Sequence, residues 1–395
     1  MAIPKTLKDL LTLPTAPFAE GAVLRYLARA CARLADVDVA FDAHGNLLVR
    51  YRRRPRRGRV ALALVAHTDH PGFVVRERID RRTVRAEFRG GVRPEYFPGA
   101  GVRFWTAAGW VRGRVAALAE ARQVADVAGA MWRPEDVRIH VPEPVAAGDL
   151  GMWDLPDPEL RDGRVYARGC DDIAGAAALL QMLQNLSRRR TAGEIYVLFT
   201  RAEEVGFVGA LGAVRAGTLP KSLPVVSIET SSALPGVTPG AGPILRVGDR
   251  AAVFHPGLTA YLDRVARDLA QRQKTFAYQR KLMDGGTCEA APFLAYGYVA
   301  GGICVALGNY HNMDTRRRKI GPEYISLADW RRMVQWFEAL AGDERGYEEA
   351  ADVGLLRPRM EERWTTYAEL LAETRAAVLG AAAGDAHRVG RRPRG

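Results

Sequence analysis

Residues 194–206, EIYVLFTRAEEVG, decide how the chain is read. Glu194 to Thr200 is a short apolar run of branched and aromatic residues, the composition of a buried strand. The small-residue pattern GFVGALGAV at 206–214 then reads as a tight turn into a helix. Glu203 and Glu204 therefore sit where a strand hands over to a helix. In an open α/β sheet that edge is where ligands bind. Neighbouring carboxylates repel unless something cationic lies beside them. By itself the pair reads as an acidic turn in solvent. The rest of the chain supplies it with partners at other strand ends.

Upstream, a helix is expected over 19–34 and a hairpin over 37–53, turning at DAHGN (42–46). Val60 to Ala66 (VALALVA) is a continuous apolar run, as in a strand covered on both faces. It ends in HTDHPGF, 67–73. A neutral imidazole such as His67 suits zinc, and Asp69, two residues on, is spaced to hold the ring's other N–H. The segment RGCDDIAG, 168–175, opens an Ala- and Leu-rich helix over 176–186. One Asp of the pair Asp171–Asp172 is an ordinary N-cap; a second is less easily dismissed. The strand PVVSI, 224–228, ends in Glu229-Thr230-Ser231. A helix follows over 253–268, then a Gly-rich turn (285–290) into a short helix. The strand GICVAL, 302–307, ends in Gly308-Asn309-Tyr310-His311, and a last clear helix spans 326–340.

Between 74 and 166 the texture changes to short alternating runs broken by Gly and Pro, the pattern of a small β-rich domain inserted into an α/β chain. Beyond Ala341 a charged segment and an Ala/Leu helix over 367–379 lead to a basic end, expected to be disordered.

Composition narrows the classes. With 395 residues, 48% hydrophobic, and 40 glycines, the chain is globular. No apolar run approaches the ~18 residues that span a membrane, and the start MAIPKTLKDLLTLP lacks the features of a secretory signal. The four cysteines are scattered, which points to a reducing cytoplasm rather than a disulfide framework. The formal charge of +12 resides largely in Arg clusters at 52–57, 188–190 and 316–318 and in the C-terminal RVGRRPRG. These read as solvated loops and a tail; neither a membrane nor nucleic acid is the expected partner.

Collected together, His67, Asp171, Glu203, Glu204, Glu229 and His311 are two imidazoles and four carboxylates expected on one edge of one sheet. This mixture of N and O donors suits divalent metals. Two metals about 3.5–4 Å apart with a shared carboxylate form a hydrolytic site. Each would take one His, one terminal carboxylate and the shared Asp. One carboxylate is left over to move a proton.

HTDHPGF, CDDIAG, FTRAEEVGFVGA and GNYHN resemble the co-catalytic metallopeptidases of the zinc aminopeptidase clan, over about Ala61 to Asp314. The resemblance implies that His67 and Glu229 bind one metal, Glu204 and His311 the second, and that Asp171 bridges them. It implies Asp69 as the residue orienting His67, Glu203 as general base, and a cis peptide after Asp171. The insertion between His67 and Asp171 is similar to that of the TET-type glutamyl and deblocking (cellulase M-like) aminopeptidases, as are DAHGNLLVR and the exit AAGDLGMWDL…GRVYARGCDD. The implied fold is a three-layer α/β/α metallopeptidase domain (1–73 and 167–342) with a mixed, mostly parallel sheet. The inserted β-rich domain (74–166) would serve oligomerisation or substrate access, and 343–395 would form a C-terminal helix and tail.

The implied protein is a cytoplasmic aminopeptidase of peptide substrates. It would use two divalent ions (zinc, with cobalt or manganese as alternatives) and a metal-activated water, in a homo-oligomer between dimer and dodecamer. A deacylase of N-acyl amino acids on the same metals is the alternative; a binding protein without catalysis is a third reading, opposed by the complete ligand set. Glu229 stands where TET-type families usually carry Asp, and Gly286-Thr287-Cys288-Glu289 replaces the usual Gly-Thr-Asp turn. GNYHNMD is closer to other branches of the clan, so substrate preference is not carried over.

Overall fold

The computed structural model describes residues 2–126, 129–347 and 357–389. The chain divides into two units, Met1–Glu348 and Glu349–Gly395. In the first, helices α1 (Lys5–Thr12) and α2 (Gly21–Cys31) precede a hairpin of β1 (Val37–Phe41) and β2 (Leu47–Arg53), and then β3 (Leu62–His67). Six strands follow: β4 (Gly72–Arg78), β5 (Thr83–Arg89), β6 (Gly101–Thr106), β7 (Gly109–Asp126), β8 (Gly129–His140) and β9 (Leu150–Trp153). They close into a barrel in the order β4-β5-β8-β7-β6-β9. β10 (Glu159–Arg161) and β11 (Arg164–Ala167) rejoin the main sheet ahead of α3 (Ile173–Arg189) and β12 (Gly193–Thr200). Next come α4 (Val208–Ala216), β13 (Val225–Ser232), β14 (Ile244–Asp249), α5 (Pro256–Arg272), β15 (Gln279–Met283), α6 (Ala290–Ala295) and β16 (Ala300–Gly308). The small hairpin of β17 (Met313–Asp314) and β18 (Lys319–Ile320), β19 (Glu323–Ser326) and α7 (Leu327–Gly342) complete the unit. The second unit contains α8 (Arg357–Val389).

The main sheet has 11 strands, ordered β1-β2-β12-β3-β13-β16-β19-β11-β10, with β14 and β15 attached beside β16. β12, β3, β13 and β16 run parallel, so their C-terminal ends share one edge. Successive side chains of β3 go to opposite faces. Leu62, Leu64 and Ala66 join the core under α1, α2, α3, α5 and α7, whereas Ala63 and Val65 join that under α4 and α6. Covering on both faces is why these strands read as unbroken apolar runs. The barrel starts five residues after His67 and encloses an aromatic core of Phe73, Phe88, Phe97 and Trp153, with ring centroids 4.8 to 6.2 Å apart.

Several elements differ from the sequence expectations. Parallel pairing holds for the centre of the sheet, while β1, β2, β19, β11 and β10 pair antiparallel at its flanks. The segment between Glu229 and His311 carries two strands beyond the one expected over 302–307, namely β14 and β15. β14 is kinked by a register shift between Arg246 and Gly248, and β15 (QRKLM) pairs with β14 alone, so its charges face solvent as edge strands allow. Glu229 lies inside β13, which runs on to Ser232. The C-terminal helix spans 357–389 rather than 367–379, and residues 390–395 of the basic end lie outside the described residues.

α3 is apolar nearly all round, and twelve of its residues, from Ile173 to Leu186, are buried. It is held at its start by Trp330 of α7, 1% exposed, whose indole N–H donates to the Ala174 carbonyl at 2.8 Å. Trp330→Ala removes that bond and a large buried ring at the start of α3. It is expected to cost about 3–5 kcal/mol of stability, read as a lowered midpoint in urea unfolding.

Candidate metal centre

The edge shared by the four parallel strands gathers all six strand-end residues in one cleft of about 140 Å³, which they line together with Thr230, Arg246, Thr287 and Tyr310. His67 Nε2 lies 3.5 Å from Asp171 Oδ1 and 3.9 Å from both Glu203 Oε2 and Glu229 Oε2. His311 Nε2 lies 3.0 Å from Glu204 Oε2 and 3.8 Å from Asp171 Oδ2. The Asp171 carboxylate thus stands between the two rings, one oxygen toward each. The bond from Asp171 to Asp172 is cis.

The tautomers follow from what the other ring nitrogens face. His67 Nδ1 donates to the main-chain carbonyl of Asp69 at 3.1 Å, and His311 Nδ1 donates to the Gly91 carbonyl at 2.6 Å. A carbonyl only accepts, so each ring carries an N–H at Nδ1, and each Nε2 points at carboxylate oxygens. Acceptor facing acceptor is repulsive unless a proton or a metal cation stands between. Two further oxygens, Glu204 Oε1 and Glu229 Oε1, are buried without a hydrogen-bond partner among the described residues. Groups of three donors lying within 4.8 Å of one another are His67–Asp171–Glu229, Asp171–Glu204–His311 and His67–Glu203–Glu204. This donor set and its unpartnered oxygens fit divalent cations.

The electrostatics describe the same demand. Burial pushes Glu203 well above the usual carboxylate range, with His67 opposing and the charges of Glu229, Glu204 and Asp69 adding. Burial likewise lifts Glu229 to about 8. Burial works to raise Asp171 too, but the His67 hydrogen bond and the surrounding imidazoles hold it below its ordinary value. Burial would lower His311, yet Glu204 and Asp171 raise it to about 9. The protein stabilises positive charge at this place in whatever form it arrives.

The support of the site differs from its sequence reading at Asp69. The ring of His67 is held by the main-chain carbonyl of Asp69, and the Asp69 carboxylate stands 3.6 Å from Nδ1. That carboxylate instead accepts the backbone N–H groups of Glu203 (3.0 Å) and Glu204 (3.1 Å). The turn carrying the two glutamates presents these donors toward the buried anion, which draws it away from the ring. Gly209 lets the same turn close: a Cβ there would sit 2.2 Å from the Arg201 carbonyl.

Three supporting residues were not singled out from the sequence. Glu323 accepts from the backbone N–H of Cys170, Asp171 and His311, tying two strand ends together. His70 contacts the Asp171 carbonyl at 2.8 Å and Asn312 Oδ1 at 3.0 Å. Asn312 in turn donates to the carbonyls of Arg168 and Gly321. His70 lies in the quoted HTDHPGF; Glu323 carries no local signal, being a polar residue opening a short strand. Asp172 and Glu289 are fully buried and their carboxylates have no hydrogen-bond partner among the described residues.

Comparison with known proteins places the chain. The model of the M42 glutamyl aminopeptidase family matches residues 45–318. A curated protein of Acetivibrio thermocellus is 25% identical over 297 residues, 70% of this chain and 82% of the relative. The fold is similar to that of the TET1 peptidase of Pyrococcus horikoshii, at TM-score 0.68 and 21% identity, covering 86% of this chain and 99% of the other. It is similar as well to an aminopeptidase of the archaeon Desulfurococcus kamchatkensis, at TM-score 0.68 and 22% identity over 86% and 94% of the two chains. The family match spans the inserted barrel and the cleft from His67 to His311, and with it this chain, a peptidase, belongs to the M42 glutamyl aminopeptidase family.

Proposed function

We propose that the chain is an aminopeptidase with two divalent ions, which removes N-terminal residues from peptides. The observation that carries this is the pair of Nε2 atoms aimed at carboxylates with Asp171 between them. His67 and Glu229 would hold one ion, His311 and Glu204 the other, and Asp171 both. Zinc is the expected metal, with cobalt or manganese also suited to these donors. The ions, when bound, supply Lewis acidity that polarises the scissile carbonyl and makes water more acidic.

Glu203 is the carboxylate left for proton transfer. Its pKa, raised by burial, suits a group that accepts the proton of the attacking water and returns it to the leaving amine. Asp69 acts as a positioning residue, fixing the backbone of both glutamates and the tautomer of His67. The 74–166 segment, which carries the barrel, is read as an inserted domain that reaches the site through Gly91 and takes part in assembly. Homo-oligomerisation is supported by the likeness to the Pyrococcus TET1 peptidase, which can form a tetrahedron or an octahedral shell. The buried, unpaired cysteines suit a cytoplasmic setting.

The test is Glu203→Gln. Elemental analysis should find two metal ions per chain in both wild type and variant, while turnover of aminoacyl-anilides falls by roughly 10²–10⁴-fold in the variant. Retained turnover removes Glu203 as the base, and preferential hydrolysis of N-acyl amino acids by the wild type favours a deacylase. Asp69→Asn turns an amide N–H₂ toward one of two buried backbone donors. It should keep the metals, lose about 1–3 kcal/mol of stability in urea and lower kcat more than it raises KM.

A further inference from the structure

Helix α8, 33 residues long, lies outside the 45–318 stretch that the family model matches, and the proposed chemistry does not use it. Its first half carries Met360, Trp364, Tyr367 and Leu371 at alternating spacings of four and three residues, with Thr374 next in the series. That is the a/d spacing of a coiled-coil seam. Leu370 flanks the seam at a g position. Met360, Trp364, Tyr367, Leu370 and Leu371 are each 55–64% exposed. A row of large exposed apolar side chains of this kind marks an interaction surface.

We propose that this face pairs with the same face of a second copy of the chain, as an antiparallel two-helix coiled coil. The register follows from the charges. A two-fold axis that sets Leu370 opposite Leu370 of the second copy sets Tyr367 opposite Leu371 and Trp364 opposite Thr374. The same axis brings Glu361, at an e position, opposite Arg375, also at e, once on each side. Antiparallel coils pair e with e and g with g, so both ion pairs form together. A parallel in-register pair sets g against the next e: Arg363 against Ala368 and Leu370 against Arg375. It forms no ion pair and leaves a cation against leucine. Glu361 also lies 3.7 Å from Arg357 one turn back, and a carboxylate has acceptor capacity for both. The helix would thus join two chains through their C-terminal segments, independently of any assembly made by the first unit.

Disulfide trapping in the full-length chain tests this without depending on other interfaces. The native cysteines Cys31, Cys170, Cys288 and Cys304 are all buried, so an introduced thiol reports alone. Leu370→Cys, oxidised with glutathione disulfide, is expected to run as a covalent dimer that reductant reverses. Glu369→Cys, on the outer face of the helix, is expected to stay monomeric. Adding Glu361→Arg to Leu370→Cys should suppress the cross-link, and adding Arg375→Glu as well should restore it. The proposal is overturned by any of these results: no dimer from Leu370→Cys, equal cross-linking of Glu369→Cys, or a double charge swap that fails to restore the link. A Leu370→Cys thiol that stays monomeric and resists alkylation shows the helix covered by its own chain, and also overturns it.

Discussion

Buried negative charge without enough partners is the constraint around which this protein is arranged. Asp171, Glu204 and Glu229 are each 4–6% exposed, and an oxygen of each of the last two has no hydrogen-bond partner among the described residues. Concentrating carboxylates out of water is costly unless cations repay it. The two histidines make the requirement sharper, because each aims Nε2 at carboxylate oxygens, a contact that needs a proton or a cation between. Stability and the proposed chemistry are therefore linked at one place, the cluster whose charge has to be neutralised.

Holding such a cluster needs a rigid surround, and the chain provides it mainly through backbone hydrogen bonds to other buried acids. Asp69 fixes the Glu203–Glu204 turn, and Glu323 fixes the chain at Asp171 and His311. These are anions spent on amide donors, so they add order without competing for a metal. Thr230 donates to Asp171 Oδ1 at 3.1 Å, setting the carboxylate between the rings. The barrel takes part as well, since the Gly91 carbonyl decides which nitrogen of His311 carries the proton. The insertion between His67 and Asp171 is thus joined to the chemistry as well as to the chain.

The cleft wall differs from the cleft floor. Arg246, 2% exposed, lines the wall with a guanidinium over the Phe254 ring, and its Nη1 donates to Ser231 Oγ at 3.2 Å. It lies on β14, a strand absent from the sequence reading, because a kinked strand lacks both continuous apolar character and clean alternation. The floor is built from strand ends that carry local signals and this part of the wall is not, which explains why the one was read more easily than the other.

What the sequence by itself determined is the set of strand ends. Apolar runs such as VALALVA and EIYVLFT are local signals, and an acid or a histidine follows each within three residues, so the fold class and the six candidate residues were legible without coordinates. What only the tertiary structure decided is how those residues are held. Gly91 and His311 are separated by 220 positions, Cys170 and Glu323 by 153, and Asp69 and Glu203 by 134. No local periodicity encodes such contacts. A carboxylate in the sequence looks the same whether it will bind a metal, accept two amide protons or stand unpartnered, and only the packing of distant elements around it tells these fates apart.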